Sequence, residues 1–419
     1  MSVDSEPVSS VQISLPEKRR IRIAVALIYF CTGISFATWA SRIPDIKTAL
    51  HLTDGMLGSI LFALPAGQFT MMPFSGRLVT RFGSYRVLLF SLPLYTLCLN
   101  NLGWVTEGWQ LAVALYMFGL AGNMNNIAIN TQGIAAEHLY ERSIMASFHG
   151  MWSLAGFTGA LTGLLMINLK VPYNIHFIIV ILMVWTIMSI NYPYLIKGKA
   201  SGARDEQRRK FFSKPDGMLL QLGIIGFFSM ASEGAMFDWS GIYFKDVVKA
   251  PASLVILGYT SFMIMMASGR FMADHFIAKI GRQKLLRIAG IMVSSGLFIS
   301  VLFPNLITCT MAFMLVGLGV SSIVPTVYST AGKYTKVPPG IALATVSSVS
   351  FLGFLMGPPL IGYISELAGL RYSFAVVGIF GLGVTLLVSR IRAFQVTPRV
   401  AVKKDVPEED LDQVAPFEM

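Results

Sequence analysis

Two acidic residues, Glu233 and Asp238, stand inside the long apolar run 217–243. A charged side chain at the centre of a membrane helix costs about 2.5–3.5 kcal/mol on insertion scales, so its presence points to a role. The chemistry available there is proton exchange, because a carboxylate withdrawn from water is far costlier than the neutral acid. Five positions apart, the two acids lie about 140° around a helix of 3.6 residues per turn. They share a face only if the helix breaks, which Ser232, Gly234, Ser240 and Gly241 would allow. The structural alternative has Glu233 tying helices together and Asp238 pairing with Arg42 or Lys245. A second chemistry is hydrogen-bond recognition. Gly119, Asn123, Asn126, Asn130 and Gly133 follow at helical spacing and line one face, flanked by Asn125 and Gln132. Carboxamides both donate and accept, as a sugar or another neutral polar solute requires. They also hold membrane helices together, at about 0.6 kcal/mol per contact. Gln68 and Trp152 are further candidate walls. Arg42 could receive an anionic group, pair with Asp45, Asp238 or Asp246, or snorkel to the interface. His149 is either a proton carrier or a buried, hydrogen-bonded ring.

The elements that must position these residues follow from composition. Apolar residues make up 54% of the chain and charged residues 13%, against about 25% charged in a soluble domain. Twelve apolar segments are each long enough to cross a hydrocarbon core of about 30 Å. They run approximately over 21–42, 55–79, 85–104, 109–135, 143–167, 174–196, 217–243, 252–277, 285–304, 307–331, 340–367 and 371–393. They must be helices, since each segment has to satisfy its own backbone in lipid. The first run is too long for a signal peptide and lacks a cleavage site, so it reads as an uncleaved span. Of the 33 Lys and Arg, only Arg42, Lys47, Lys170, Lys245, Lys249 and Arg371 fall on the far side from the N-terminus. The other 27 place both termini in the cytoplasm. The net charge of +11 is this bias, and no nucleic-acid partner is expected. Cys31, Cys98 and Cys309 lie inside apolar runs and imply no disulfide framework, and the five histidines lack metal-ligand spacing.

The organisation is a tail over 1–20, a six-helix bundle over 21–196, a polar linker over 197–216, a second six-helix bundle over 217–394 and a polar tail over 395–419. The halves echo each other. Ser75-Gly76-Arg77, then Arg81, Gly83 and Arg86, is answered by Ser268-Gly269-Arg270, then Asp274, Gly281 and Arg282. Gly119-Leu120-Ala121-Gly122 is answered by Gly317-Leu318-Gly319, and Thr38-Trp39 by Asp238-Trp239.

On these motifs the chain resembles the major facilitator superfamily over nearly its whole length. The detail resembles the YbjJ-like group, distantly akin to fucose permeases. The stretches that carry this are Trp39–Lys47, Phe62–Gly67, Ser147–Ser153 and Gly357–Gly362. The resemblance implies twelve helices in two pseudo-symmetric bundles of six, and transport by alternating access. It also implies a latch at the cytoplasmic helix ends, formed by Gly76, Arg77, Arg81, Gly83, Arg86, Gly269, Arg270, Asp274, Gly281 and Arg282. Gly76 and Gly269 would allow close helix approach, and Arg81, Arg86, Asp274 and Arg282 would pair. The first copy departs from the pattern with Thr80 at its acidic place. Related sequences carry an acid near Asn126; the amide here moves proton coupling to Glu233 and Asp238, with His149 as a third candidate.

The expected function is H⁺-coupled movement of a small polar solute, a sugar or sugar derivative, with Na⁺ as the other possible ion. Asn123, Asn126, Asn130, Gln68, Trp152 and Arg42 are the expected substrate contacts. Proton-coupled efflux of a drug or metabolite is the alternative, and a non-transporting receptor a more distant one. The sequence contains neither a Gly-x-x-x-x-Gly-Lys-Ser/Thr phosphate loop nor a Gly-x-Ser-x-Gly nucleophile turn, so no enzyme, cofactor or metal is expected. The setting expected is a bacterial inner membrane, with the protein as a monomer among lipids.

Overall fold

The structure, a computed structural model, describes residues 14–140, 144–197, 217–332 and 339–391. Residues 1–13 of the expected N-terminal tail, the whole C-terminal tail, nearly all of the expected linker and the side chain of Asp274 lie outside the described residues, whereas 15–20 of the expected N-terminal tail belong to the first helix. Thirteen α-helices follow in order: α1 Leu15–Ala49, α2 Asp54–Leu61, α3 Ala63–Phe82, α4 Ser84–Leu102, α5 Gly108–Glu137, α6 Met145–Asn168, α7 Tyr173–Asn191, α8 Gly217–Asp246, α9 Leu257–Ile280, α10 Arg282–Leu302, α11 Leu306–Gly332, α12 Pro339–Ala368 and α13 Leu370–Arg390. No strand occurs among the described residues.

Among the described residues, eleven helical segments are long and apolar enough to cross a membrane, with α2 and α3 forming one of them. The twelfth long helix, α4, carries Arg86, Asn100 and Asn101 and is less apolar. The break between α2 and α3 has a local cause. Pro65 offers no N–H to the carbonyl of Leu61, and its ring crowds that carbonyl; the helix ends at Leu61 and restarts at Ala63. α1 is longer than its apolar run. Ser14 caps it, accepting from the Glu17 N–H at 3.4 Å, and it runs on through Pro44 to Ala49. α8 is unbroken from Gly217 to Asp246, so Glu233 and Asp238 point in different directions.

In the first half α1 packs on α6 and α7, and α5 on α3 and α4; in the second, α8 packs on α12, and α11 on α9 and α10. The repeat holds at the level of single contacts. A Cβ on Gly119 would strike Leu64 O and Gln68 N, and one on Gly317 would strike Phe262 O and Met266 N. Each residue of the second set is 198 positions beyond its mate in the first. Gly83 and Gly281 are 198 apart too, and both turn the chain between helices with φ of 83° and 81°. Small residues thus set the distance between α5 and α3, and between α11 and α9, in the same way.

The two faces of the bundle differ. The terminal face carries both ends of the described chain; the distal face carries the connections 49–54, 102–108, 168–173 and 246–257. In their distal parts α1 is buried throughout 37–44 and α8 throughout 234–244. Towards the terminal face both helices show partly exposed residues, such as Phe30 and Phe36 on α1 and Phe227, Met230 and Glu233 on α8. Between α1 and α8 the halves are therefore closed together distally and part towards the terminal side, where a cleft remains, while α6 and α9 still meet there, with Phe271 against Gly150.

Candidate functional site

A chain of polar side chains crosses the cleft from one half to the other. On α5, Asn126 is exposed although its helix lies inside the bundle. Asn130 donates from Nδ2 to Asn126 Oδ1 at 2.9 Å. Asn130 Oδ1 accepts from Tyr29 Oη of α1 at 2.8 Å, so this amide face looks towards α1. The Tyr29 ring meets the exposed His149 of α6 edge-on, with ring centres 5.5 Å apart. One turn along α6, Ser153 Oγ accepts from Arg270 Nη1 of α9 at 3.1 Å. Arg270 Nη2 donates to Glu233 Oε1 of α8 at 3.0 Å. Trp152 flanks the guanidinium, its ring 5.9 Å from Cζ. Five helices thus contribute, and Arg270–Ser153 joins the halves deep in the membrane. By a helix rise of about 1.5 Å per residue, Arg270 lies roughly 15 Å from the terminal end of α9 and Glu233 roughly 20 Å from the distal end of α8. Nothing in this arrangement resembles a metal site, and no group of three His, Cys, Asp or Glu converges among the described residues.

The other expected site residues divide. Asn123 accepts from Ser75 Oγ of α3 at 2.7 Å and is half-buried. The flanking amides are glue: Asn125 donates to Thr32 Oγ1 at 2.8 Å, and Gln132 donates to Ser84 Oγ and Ile196 O at 2.9 and 2.8 Å. Gln68 is half-buried, and its side chain has no hydrogen-bond partner among the described residues. His149 likewise makes no hydrogen bond there, and it is exposed rather than buried. Arg42 is not at a helix end. It is 3% exposed and all three arms are taken, by Asp45 at 2.8 Å, His176 Nδ1 at 3.2 Å and Val171 O at 3.0 Å. It ties α1 to α7, and its burial keeps it from a solute in the cleft. Asp238 lies in the sealed distal stretch of α8 and pairs with neither Arg42 nor Lys245.

The expected latch residues do not assemble as one unit. Gly83 and Gly281 are the positive-φ turns described above. A Cβ on Gly76 would meet nothing within 4 Å, whereas one on Gly269 would strike Ser321 Oγ of α11. The tripeptide echo is out of structural register: Gly76 precedes its turn glycine by seven residues and Gly269 by twelve. That shift of five residues carries Arg270 about 7.5 Å deeper than Arg77, by helix rise alone, and takes it from the helix end into the cleft. Arg77, Arg81 and Arg86 are exposed, Arg81 lying 5.3 Å from the Phe82 ring, and Arg282 reaches Ser329 Oγ at 3.5 Å. The side chain of Asp274 is outside the described residues.

The polar contacts that close the distal face were not legible as such. Lys47 of α1 reaches Asp246 of α8 at 2.9 Å and also pairs with Asp54. Lys245 donates to Thr48, and Ser365 of α12 to Asp54 of α2. Glu366 accepts from Thr53 Oγ1 at 2.9 Å and from the Gly55 N–H at 2.6 Å. Beneath them α2 and α12 cross on glycine: a Cβ on Gly58 would lie 2.9 Å from Gly362 Cα. Gly58 and Gly362 each lie four positions from an acid at a span end, Asp54 and Glu366, but pairing across about 300 residues has no local signature. A separate groove of about 730 Å³, lined by Met56, Trp109, Tyr363 and Leu367 among others, opens on the outer surface beside α2 and α12 and is not part of the cleft.

Comparison with known proteins agrees with this architecture. The profile of the Major Facilitator Superfamily matches residues 25–340 and 255–416. An uncharacterised MFS-type transporter of Yersinia pestis is 29% identical over 365 residues, covering 87% of this chain and 94% of that protein. Membrane protein MosC of Rhizobium meliloti is 30% identical, covering 85% and 86%. The crystal structure of the nucleoside transporter NupG aligns with a TM-score of 0.69 at 10% identity, covering 90% of this chain and all of that one, and so speaks for the fold alone. The chain belongs to the major facilitator superfamily: it is an integral membrane transporter with that superfamily's fold, and not an enzyme.

Proposed function

We propose that the protein is a secondary active transporter for a small polar solute, a sugar or sugar derivative, coupled to H⁺. The observation that carries this reading is the polar chain from Asn126 to Glu233, since such groups inside a membrane protein are costly and mark solute and ion pathways. It joins both halves near mid-membrane, where rocking transporters hold their solute. Asn123, Asn126, Asn130, Gln68 and Trp152 form the solute walls; Arg42 is excluded by its three protein partners. Glu233 is the proton site, with His149 beside it, and Asp238 serves a state in which the distal seal is open. The excess of Lys and Arg assigns the terminal face to the cytoplasm of a bacterial inner membrane, which makes this conformation inward-open. The terminal-face arginines lie within reach of anionic headgroups. The protein works as a monomer.

The test is purified protein in liposomes carrying an internal pH-sensitive dye, with sugars, amino acids, nucleosides and organic anions added outside in turn. A polar solute that drives acidification, and does so in wild type but not in Glu233→Gln, is the expected result. Flux driven only by Na⁺ would replace the coupling ion, and flux driven only by lipophilic cations would replace import with efflux.

A further inference from the structure

Arg270 has more donors than the protein uses. A guanidinium carries five N–H groups. One Nη meets a single oxygen of Glu233, the other meets Ser153, and Nε is buried with no partner among the described residues. The side chain is 27% exposed, on the cleft side where Trp152 and His149 stand. A structural ion pair deep in a membrane would be expected in the two-pronged geometry that guanidinium and carboxylate favour; this one is made through one prong only. Nor does the scaffold require an arginine here. The position 198 residues earlier, which occupies the same place in the repeat, is Met72.

We infer that the solute carries one carboxylate, which docks on Arg270 in place of Glu233 while the amide wall at Asn126 and Asn130 takes its hydroxyls. This deepens the transport reading above and rests on it. The exchange balances. A proton from the open side goes to a Glu233 oxygen, the Arg270–Glu233 ion pair breaks, and the solute carboxylate takes the Nη2 N–H it frees together with the unpartnered Nε N–H. Solute anion and proton together leave the net charge of the site unchanged. The groups facing the pair are His149, Trp152 and Ser153 from α6 and Tyr328 from α11, the last near enough to interact with Glu233, while Tyr29 of α1 stands against His149. Besides His149, no cation other than Arg270 takes part in the polar chain, which suits one carboxylate better than a doubly charged phosphate. Ser153 belongs to the other half, so a solute held at Arg270 bears on both halves at once.

The decisive probe is acetate, which carries the recognised group and nothing else. Full-length protein would be unfolded thermally in sodium acetate and in sodium chloride of equal ionic strength. Variants would be Glu233→Gln, the double variant Glu233→Gln/Arg270→Gln, and Glu233→Gln/Arg270→Lys. With Glu233 neutralised, Arg270 lacks its carboxylate, and acetate should raise the midpoint of Glu233→Gln by several degrees over chloride through binding to the folded state. The Gln double variant should show no such difference and the Lys variant a smaller one, because Lys lacks the planar fork. An acetate effect absent from Glu233→Gln, or equal in the Gln double variant, overturns the inference. Solute-driven flux of a neutral sugar that survives Arg270→Gln would also overturn it and leave the transport reading standing. Absence of flux with every solute class, alongside a clean acetate result, would count against transport and not against the carboxylate site.

Discussion

The pair α3–α5 and the pair α9–α11 are built alike and furnished differently. Gly119 lets α5 rest on the backbone at Leu64 and Gln68; Gly317 does the same for α11 at Phe262 and Met266. At the positions that face the cleft the correspondence ends. Met72 answers to Arg270, Asn123 to Ser321 and Asn130 to Tyr328, each 198 residues apart. The first half therefore offers amides, and the second a charge pair with α8. Packing is what the repeat shares, and the candidate chemistry lies where the halves depart from one another.

That contrast can be broken at its strongest point first. Arg270→Gln leaves Glu233 a buried carboxylate without its partner, a loss of about 3–5 kcal/mol, and solute-driven proton flux should fall at least roughly a hundredfold. The mate substitution, Met72→Gln, should stay within about twofold in the same assay. Next comes the shared packing. Gly119→Val and Gly317→Val each push a side chain into backbone, and both should lower the thermal midpoint by similar amounts, from a cost of about 1–3 kcal/mol or more. Gly76→Ala, where a Cβ meets open space, should leave it unchanged.

Smaller effects separate lining from glue. The double variant Lys47→Ala/Glu366→Gln removes partly exposed contacts on the distal face, each side chain contributing about 0–1 kcal/mol, and should raise the distal-open population by up to roughly thirtyfold; binding of an impermeant solute from the distal side would report it. Asn126→Ala should weaken apparent solute affinity about tenfold with no loss of stability, if its amide contributes one hydrogen bond of about 1 kcal/mol or a little more. Asn125→Ala should do the reverse, costing about 0.6–1.7 kcal/mol of stability and leaving affinity intact.

The apolar runs and the loop echoes were enough to read twelve spans and two halves, because a membrane helix has to be long and apolar whatever it packs on. The break at Phe62 was legible in principle from Pro65, yet an interrupted span and a continuous one have the same hydropathy. Within the site, the spacing of Asn123, Asn126 and Asn130 fixed a face, and the lone Glu233 marked itself by its cost. Arg270 was placed with the helix-end arginines because the tripeptide Ser-Gly-Arg matched one that lies five residues nearer its turn. Depth is set by distance to the turn glycine, Gly281, and not by the local match. Arg42 was misplaced for a related reason: the apolar run ends at it, but α1 continues through Pro44 to Ala49, and the guanidinium is enclosed by α7. The distal contacts between Lys47, Asp54, Asp246 and Glu366 depend on a tertiary meeting of the two halves that no local pattern announces.

The central claim is that the halves rock about the cleft, so that distal opening and terminal closing are one motion. Spin labels test it without knowledge of the solute. One pair would replace Met56 and Leu367, exposed on the distal face, and a second pair His138 and Lys279, exposed on the terminal face; the native Cys31, Cys98 and Cys309 are buried. In the wild type the distal pair should give one short distance and the terminal pair a longer one. In Lys47→Ala/Glu366→Gln a longer distal distance and a shorter terminal distance should appear together, in equal proportion. A distal distance that lengthens while the terminal pair stays fixed would contradict the account.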